Sequence, residues 1–203
     1  METMDLEREN LRAIRRELPN PLDPAYEDII LRVICATGDL SYAQILRFSP
    51  GIVPLVRTLL AGGASIVADT PMVLAGIDPG PCERLGIQKI CLIDDWRAGF
   101  QPCGHSVSWA QARVERVLGL PGPKIVVCGS APAFLLPIVA RRPAHVPIIG
   151  VPAGFVHADQ AKNALWSSGL PCIVTLGRRG GGTVAAALVN ALLCGVPGVR
   201  SAS

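Results

Sequence analysis

A chain of 203 residues, half of them hydrophobic and 17% charged, is long and apolar enough to bury a core, and disorder is excluded as a description of the whole. A net charge of +3 with 4% aromatics supplies neither the basic stripe nor the stacking residues of a nucleic-acid binder. Met1–Arg16 is charged and has no apolar centre, so it does not read as a signal peptide; no long apolar run escapes Pro, Gly or charge, so no membrane span is expected.

Taken in chain order, Asp5–Leu18 and Asp23–Leu46 carry apolar positions at helical spacing, separated by the Leu18-Pro19-Asn20-Pro21-Leu22 break. Phe48-Ser49-Pro50-Gly51 is a second break, with Ser49 as the expected N-cap of the helix that runs to Ala61. Residues 1–18 and 23–61 thus form a helical lead-in. Five nearly continuous apolar runs follow: Ser65–Asp69, Lys89–Asp94, Lys124–Gly129, Val146–Val151 and Cys172–Gly177. Their lack of alternation predicts strands buried on both faces. Helical segments lie between them at His105–Leu118, Ala131–Ala140, Ala158–Ser167 and Gly182–Leu193. Strands about 20 to 35 residues apart with helices between them predict a doubly wound α/β sheet of about five parallel strands, helices on both faces. One domain over residues 1–203 is expected, with a frayed tail at 197–203.

The seven cysteines are odd in number, widely spaced and without a CxxC, which suits a reducing cytoplasm and opposes a disulfide framework or zinc knuckle. Cys91, Cys128 and Cys172 sit in apolar runs and are expected in the core. His105, His145 and His157 offer no metal-ligand spacing and no nucleophile–base constellation, so no metal site is expected.

Ligands of open α/β sheets gather beyond the carboxyl ends of the strands. There the chain reads Asp69-Thr70-Pro71-Met72, Gly129-Ser130-Ala131-Pro132, Val151-Pro152-Ala153-Gly154-Phe155 and Gly177-Arg178-Arg179-Gly180-Gly181-Gly182-Thr183. Small residues let backbone N–H groups approach a ligand, and two arginines before three glycines at a helix start suggest an anion cradle. The alternative is a tight turn with solvated arginines. Sixteen of the 19 basic residues are Arg, which suits carboxylate recognition but also a codon bias. Neither GxxxxGK[ST] nor GxGxxG occurs there, which weighs against a nucleotide-binding protein.

FSPGIV at Phe48–Val53, Ala64–Ile77 with Asp69 and MVLAGI, GSAPAFL at Gly129–Leu135, GVPAGFVHADQAKNAL at Gly150–Leu165 and GRRGGGTVAAALVNALL at Gly177–Leu193 together resemble the precorrin-8X methylmutase (cobalt-precorrin-8 methylmutase) family of cobalamin biosynthesis. The likeness extends from about residue 8 to residue 194. It implies a flavodoxin-like α/β/α fold, a cytoplasmic homodimer with its site near the interface, and no organic cofactor. The implied reaction moves a methyl group from C11 to C12 of a corrin precursor, a 1,5-sigmatropic shift giving hydrogenobyrinic acid or its cobalt form. A polycarboxylate tetrapyrrole needs Arg and N–H donors at its rim and apolar surface for its faces. The residues implied to bind it are Asn10, Asp69, Gly129, Ser130, Gly154, Phe155, Arg178, Gly181 and Gly182.

The chain also departs from that family. Its proton donor is a His three residues after an Arg; here Arg32 is followed by Cys35, which becomes the expected catalytic group beside Arg32. An ordinary thiol, near 8.5, gives up a proton less readily than an imidazole near neutrality. Val107 stands where the family's TRSAAA-like segment has Arg, Asn10 falls near a family Ser, and Ser130 replaces a frequent Asn. His105 is a possible substitute donor. Two expectations follow: a methylmutase with an altered acid, or a catalytically lapsed paralogue that binds a tetrapyrrole as carrier or regulator.

Overall fold

The computed structural model describes residues 3–91 and 109–199. Its strands are β1 Leu46–Phe48, β2 Ser65–Ala68, β3 Lys89–Cys91, β4 Lys124–Cys128, β5 Ile148–Gly150 and β6 Cys172–Thr175. They form one sheet in the order β1-β6-β5-β4-β2-β3, parallel except for β1, which runs antiparallel to β6. Among the described residues ten helices accompany it: α1 Thr3–Glu17, α2 Glu27–Thr37, α3 Tyr42–Ile45, α4 Ile52–Ala61, α5 Pro71–Ala75, α6 Pro79–Arg84, α7 Trp109–Gly119, α8 Pro132–Arg141, α9 Ala158–Ser167 and α10 Gly182–Cys194.

The unbroken apolar runs explain the three layers. Ile66, Ala68, Ile125, Val127, Ile149 and Ile173 point to one face and pack with α2, α4 and α10. Val67, Val126, Cys128, Ile148, Cys172 and Val174 point to the other and pack with Val114 and Val117 of α7, Leu135 and Ile138 of α8, and Leu165 of α9. The four inner strands β2, β4, β5 and β6 therefore bury both rows of side chains, as parallel strands under crossover helices must. From β2 the chain steps outward to β3, then returns to β4 on the other side of β2 and winds away through β5 and β6. The crevice between β2 and β4 is the topological switch point.

Several expectations need correction. The sheet has six strands, because Leu46–Phe48 pairs with Ile173–Thr175 as a three-residue edge inside a stretch read as helix. The helix expected over Asp23–Leu46 ends at Thr37. Gly38 adopts a left-handed φ of 66° and its N–H closes on the Ile34 carbonyl, the usual stop for a helix. The short helices α5 and α6 were not expected. Ser49 is not an N-cap: its hydroxyl accepts from Cys172 N at 2.9 Å and its own N–H donates to Cys172 O, and Gly51 opens α4 instead. Val199 is 2% exposed and packs in the core, Pro197 and Gly198 are exposed, and 200–203 lie outside the described residues. So do Leu92–Asp94 of the second predicted strand, His105 and Val107. Cys91, Cys128 and Cys172 are buried, as expected.

Gly129 shows how tightly the switch point is packed. A Cβ there would lie 2.8 Å from Val73 Cγ2, 2.9 Å from Ala185 Cβ and 3.0 Å from Gly182 Cα. Gly129→Ala is expected to lower stability by about 1–3 kcal/mol, read as a fall in the urea midpoint at unchanged slope.

Candidate functional site at the sheet crest

The carboxyl ends of β2, β4, β5 and β6 carry four consecutive loops. Asp69 follows β2 and is 2% exposed, yet its carboxylate is fully occupied. One oxygen accepts from Gly129 N at 3.1 Å; the other accepts from Ser130 N at 2.6 Å, Ala131 N at 2.7 Å and the Cys128 thiol at 3.5 Å. These donors lead into α8, where a helix start offers unpaired N–H groups and positive potential. The chain's own carboxylate fills the place an external anion would take. The N–H groups of Gly129 and Ser130, read as ligand donors in the sequence, are therefore turned inward. Burial first, then the neighbouring Asp69 carboxylate, pushes the Cys128 thiol well above its ordinary range. Thr70 and Ser130 hydroxyls meet at 3.4 Å and close the crevice above.

The Gly/Arg loop after β6 is fixed from below. Gly154 N donates to Arg178 O at 3.1 Å, Gly181 N to Val151 O at 2.7 Å, and Gly177 N to the Asp159 carboxylate at 3.0 Å. Gly180 has φ 148° and lies against the Val151 carbonyl, where no side chain fits. The two arginines have different roles. Arg179 is committed to the end of α2: its guanidinium pairs with Asp39 at 3.0 Å and bonds the Ser41 hydroxyl. The Ser41 hydroxyl and backbone N–H, more than Arg179, hold the Asp39 carboxyl below its usual value. Arg178 lies over the Phe155 ring, 5.0 Å from its centroid, a cation–π arrangement on the surface. Phe155 is 84% exposed, and Val156 and Met72 are also exposed beside the crest. Gly182, opening α10, is buried under Met72.

Asn10, Arg32 and Cys35 form a second group, on α1 and α2. Cys35 is exposed and lines two adjoining cavities. One, of about 260 Å³, is shared with Asn10, Ile14 and Leu40; the other, of about 210 Å³, with Arg32, Ala187 and Asn190. Arg32 pairs with Asp28 at 3.6 Å, one turn back. Helix α10 connects the groups: it begins at Gly182 in the crest and reaches the Cys35 cavity at Ala187 and Asn190, while the Arg179–Asp39 pair ties the same two elements at the surface. A larger cavity, about 700 Å³, lies by Tyr26, Arg57 and Gly195 at the far end of α10 and contains none of the residues expected from sequence. Among the described residues no cluster of His, Cys, Asp and Glu could hold a metal ion. Sequence reasoning missed Asp39, Ser41, Lys162 and Thr175; their partner Arg179 stands 140 and 138 residues from the first two and 17 and 4 from the others, and Thr37-Gly38-Asp39, a helix stop followed by an acid, was the available signal for the first.

Comparison with known proteins places this geometry. The precorrin-8X methylmutase (CbiC) family model matches residues 5–194. The chain belongs to the precorrin-8X methylmutase family. Within the family it is 36% identical to the precorrin-8X methylmutase of Pseudomonas aeruginosa, over 91% of this chain and 92% of that one. It is 35% identical to the cobalt-precorrin-8 methylmutase of Salmonella typhimurium, over 84% and 81%. The precorrin-8X methylmutase structure from Thermus thermophilus superposes with a TM-score of 0.80 at 33% identity, over 93% of this chain and 95% of that one. The family assignment and the three-layer α/β fold expected from the sequence are both correct.

The Asp69 anchor makes a prediction. Asp69→Asn leaves three N–H donors with one good acceptor, so stability is expected to fall by about 2 kcal/mol, measured by urea unfolding, with faster amide exchange at 129–131.

Proposed function

We propose that this chain catalyses the methylmutase isomerisation, moving a methyl group from C11 to C12 of precorrin-8X or cobalt-precorrin-8, with Cys35 as the proton donor. The observation that carries the reading is the exposed Cys35 thiol between two cavities, beside Asn10 and Arg32, on the flank of the helix that starts in the Gly/Arg loop. A flat polycarboxylate macrocycle requires an apolar platform, cations at its rim and one donor at its edge. Phe155, Val156 and Met72 supply the platform, Arg178 the rim cation without a carboxylate partner among the described residues, and Cys35 the donor. In such a shift the protein favours one protonated tautomer over others, so a single placed acid matters more than a nucleophile. No organic cofactor enters. We further infer one domain, acting as a homodimer with its site near the subunit interface. A cytoplasmic setting fits the free thiols Cys35, Cys82, Cys91, Cys128, Cys172 and Cys194.

The Cys35 side chain itself supports a second reading, a corrinoid-binding paralogue without turnover, because a thiol is a weak hydrogen-bond donor to a pyrrole nitrogen. An absorbance assay of purified protein with precorrin-8X separates the two. Conversion by the wild type, lost by about 100-fold or more in Cys35→Ser and preserved or raised in Cys35→His, is the expected result. A spectral shift with hydrogenobyrinic acid but no conversion establishes the binding protein instead. Under either reading Arg178→Ala should weaken tetrapyrrole binding roughly ten- to a hundredfold in titration, and unchanged affinity removes Arg178 from the rim.

A further inference from the structure

Lys162, on α9, is 0% exposed, and none of the ion pairs among the described residues involves it. The nearest acid along its helix, Asp159, is engaged by Gly177 N and by Asn163 Nδ2 at 3.2 Å. A buried side chain of this size would be expected to be apolar, because an ammonium loses its hydration on burial. What it gains here is two oxygens: Lys162 Nζ donates to Arg179 O at 2.8 Å and to Thr175 Oγ1 at 3.2 Å. Thr175 Oγ1 in turn donates to the same carbonyl at 2.8 Å. The Arg179 carbonyl thus receives two donors from beneath, just before Gly180 presses on Val151.

We propose that Lys162 is a positioning residue for the Gly177–Gly182 loop: from inside the core it clamps the Arg179 carbonyl, fixing the backbone that carries Arg178 and opens α10, and it places a positive charge under the rim. This deepens the reading of that loop as the carboxylate-binding rim and rests on it. The groups facing the ammonium are Asp159 on its own helix, Cys128 on β4 and the Thr175 hydroxyl on β6, with the Arg179 carbonyl on the loop above. Burial lowers the lysine from 10.5 to about 8, partly offset by Asp159 and Cys128. It is charged below that pH and neutral above it. A neutral amine still donates hydrogen bonds, so raising the pH removes the charge and leaves the clamp, whereas Lys162→Met removes both.

The test uses the full chain, wild type and Lys162→Met, with hydrogen–deuterium exchange over the loop and titration with hydrogenobyrinic acid on either side of pH 8. The expected result is faster exchange confined to residues 177–182 in the variant, and wild-type affinity that falls roughly three- to tenfold as pH rises through 8. The variant should bind more weakly and lack that step. Unchanged loop exchange in a folded Lys162→Met, or a pH step that survives in it, overturns the proposal. If Lys162→Met does not fold, Thr175→Val must speed exchange in the same segment, and failure to do so overturns it equally. If the wild type binds no tetrapyrrole, the rim reading fails, and the exchange measurement still decides the clamp.

Discussion

The arrangement of the crest depends on one carboxylate. Asp69 leaves the end of β2 and takes the N–H groups of Gly129, Ser130 and Ala131 across the switch point. Without that bridge the β4–α8 turn would present unpaired donors to a buried crevice, and β2 and β4 would be joined at this end by the sheet ladder and the long Thr70–Ser130 hydroxyl contact. With it, the turn is drawn down onto α5 and α10, which is why Gly129 has no space for a side chain. The bond is local, but its effect is to fix where α10 starts relative to the sheet. Both groups of candidate residues are referenced to α10.

Doubly wound sheets commonly admit an anion at the switch point, on the helix that follows the strand. Here that position is filled internally, and Arg178, which has no carboxylate partner among the described residues, lies two strands along the sheet, on the loop after β6. On the proposed reading, anion recognition moves outward, from helix N–H groups in a crevice to Arg178 on an exposed aromatic ring. That suits a broad ligand with charges on its perimeter better than a small phosphate seated in a pit.

The sheet and its crossover helices were legible because a strand buried on both faces writes itself as a short unbroken apolar run, and α9 was read to the residue over Ala158–Ser167. The edge strand was not, since Leu-Arg-Phe has too few residues to show a period and its evidence is a partner more than a hundred residues on. The same limit governed the site. Motifs located the loops correctly, but which N–H faces a ligand and which faces Asp69 is decided by a pairing 60 residues apart. Arg178 and Arg179 are adjacent and chemically identical; Asp39 and Ser41, brought alongside when Gly38 ends α2, make one a strut, and the other is left on Phe155 without a carboxylate partner among the described residues.

A division of labour follows from where the charges lie. Asp69 and Lys162 are both sealed from solvent, of opposite sign, and each spends its shortest hydrogen bonds on backbone: the acid on the N–H groups entering α8, the base on the carbonyl before α10. Both hold loops of the proposed rim. The exposed groups are those assigned to the proposed reaction, Arg178 on its ring and Cys35 between its cavities. A substitution at Cys35 alters the chemistry of one surface atom and none of these supports. The framework of the site is thus indifferent to whether a thiol or an imidazole stands there, so exchange of the acid is a change the fold permits without repacking.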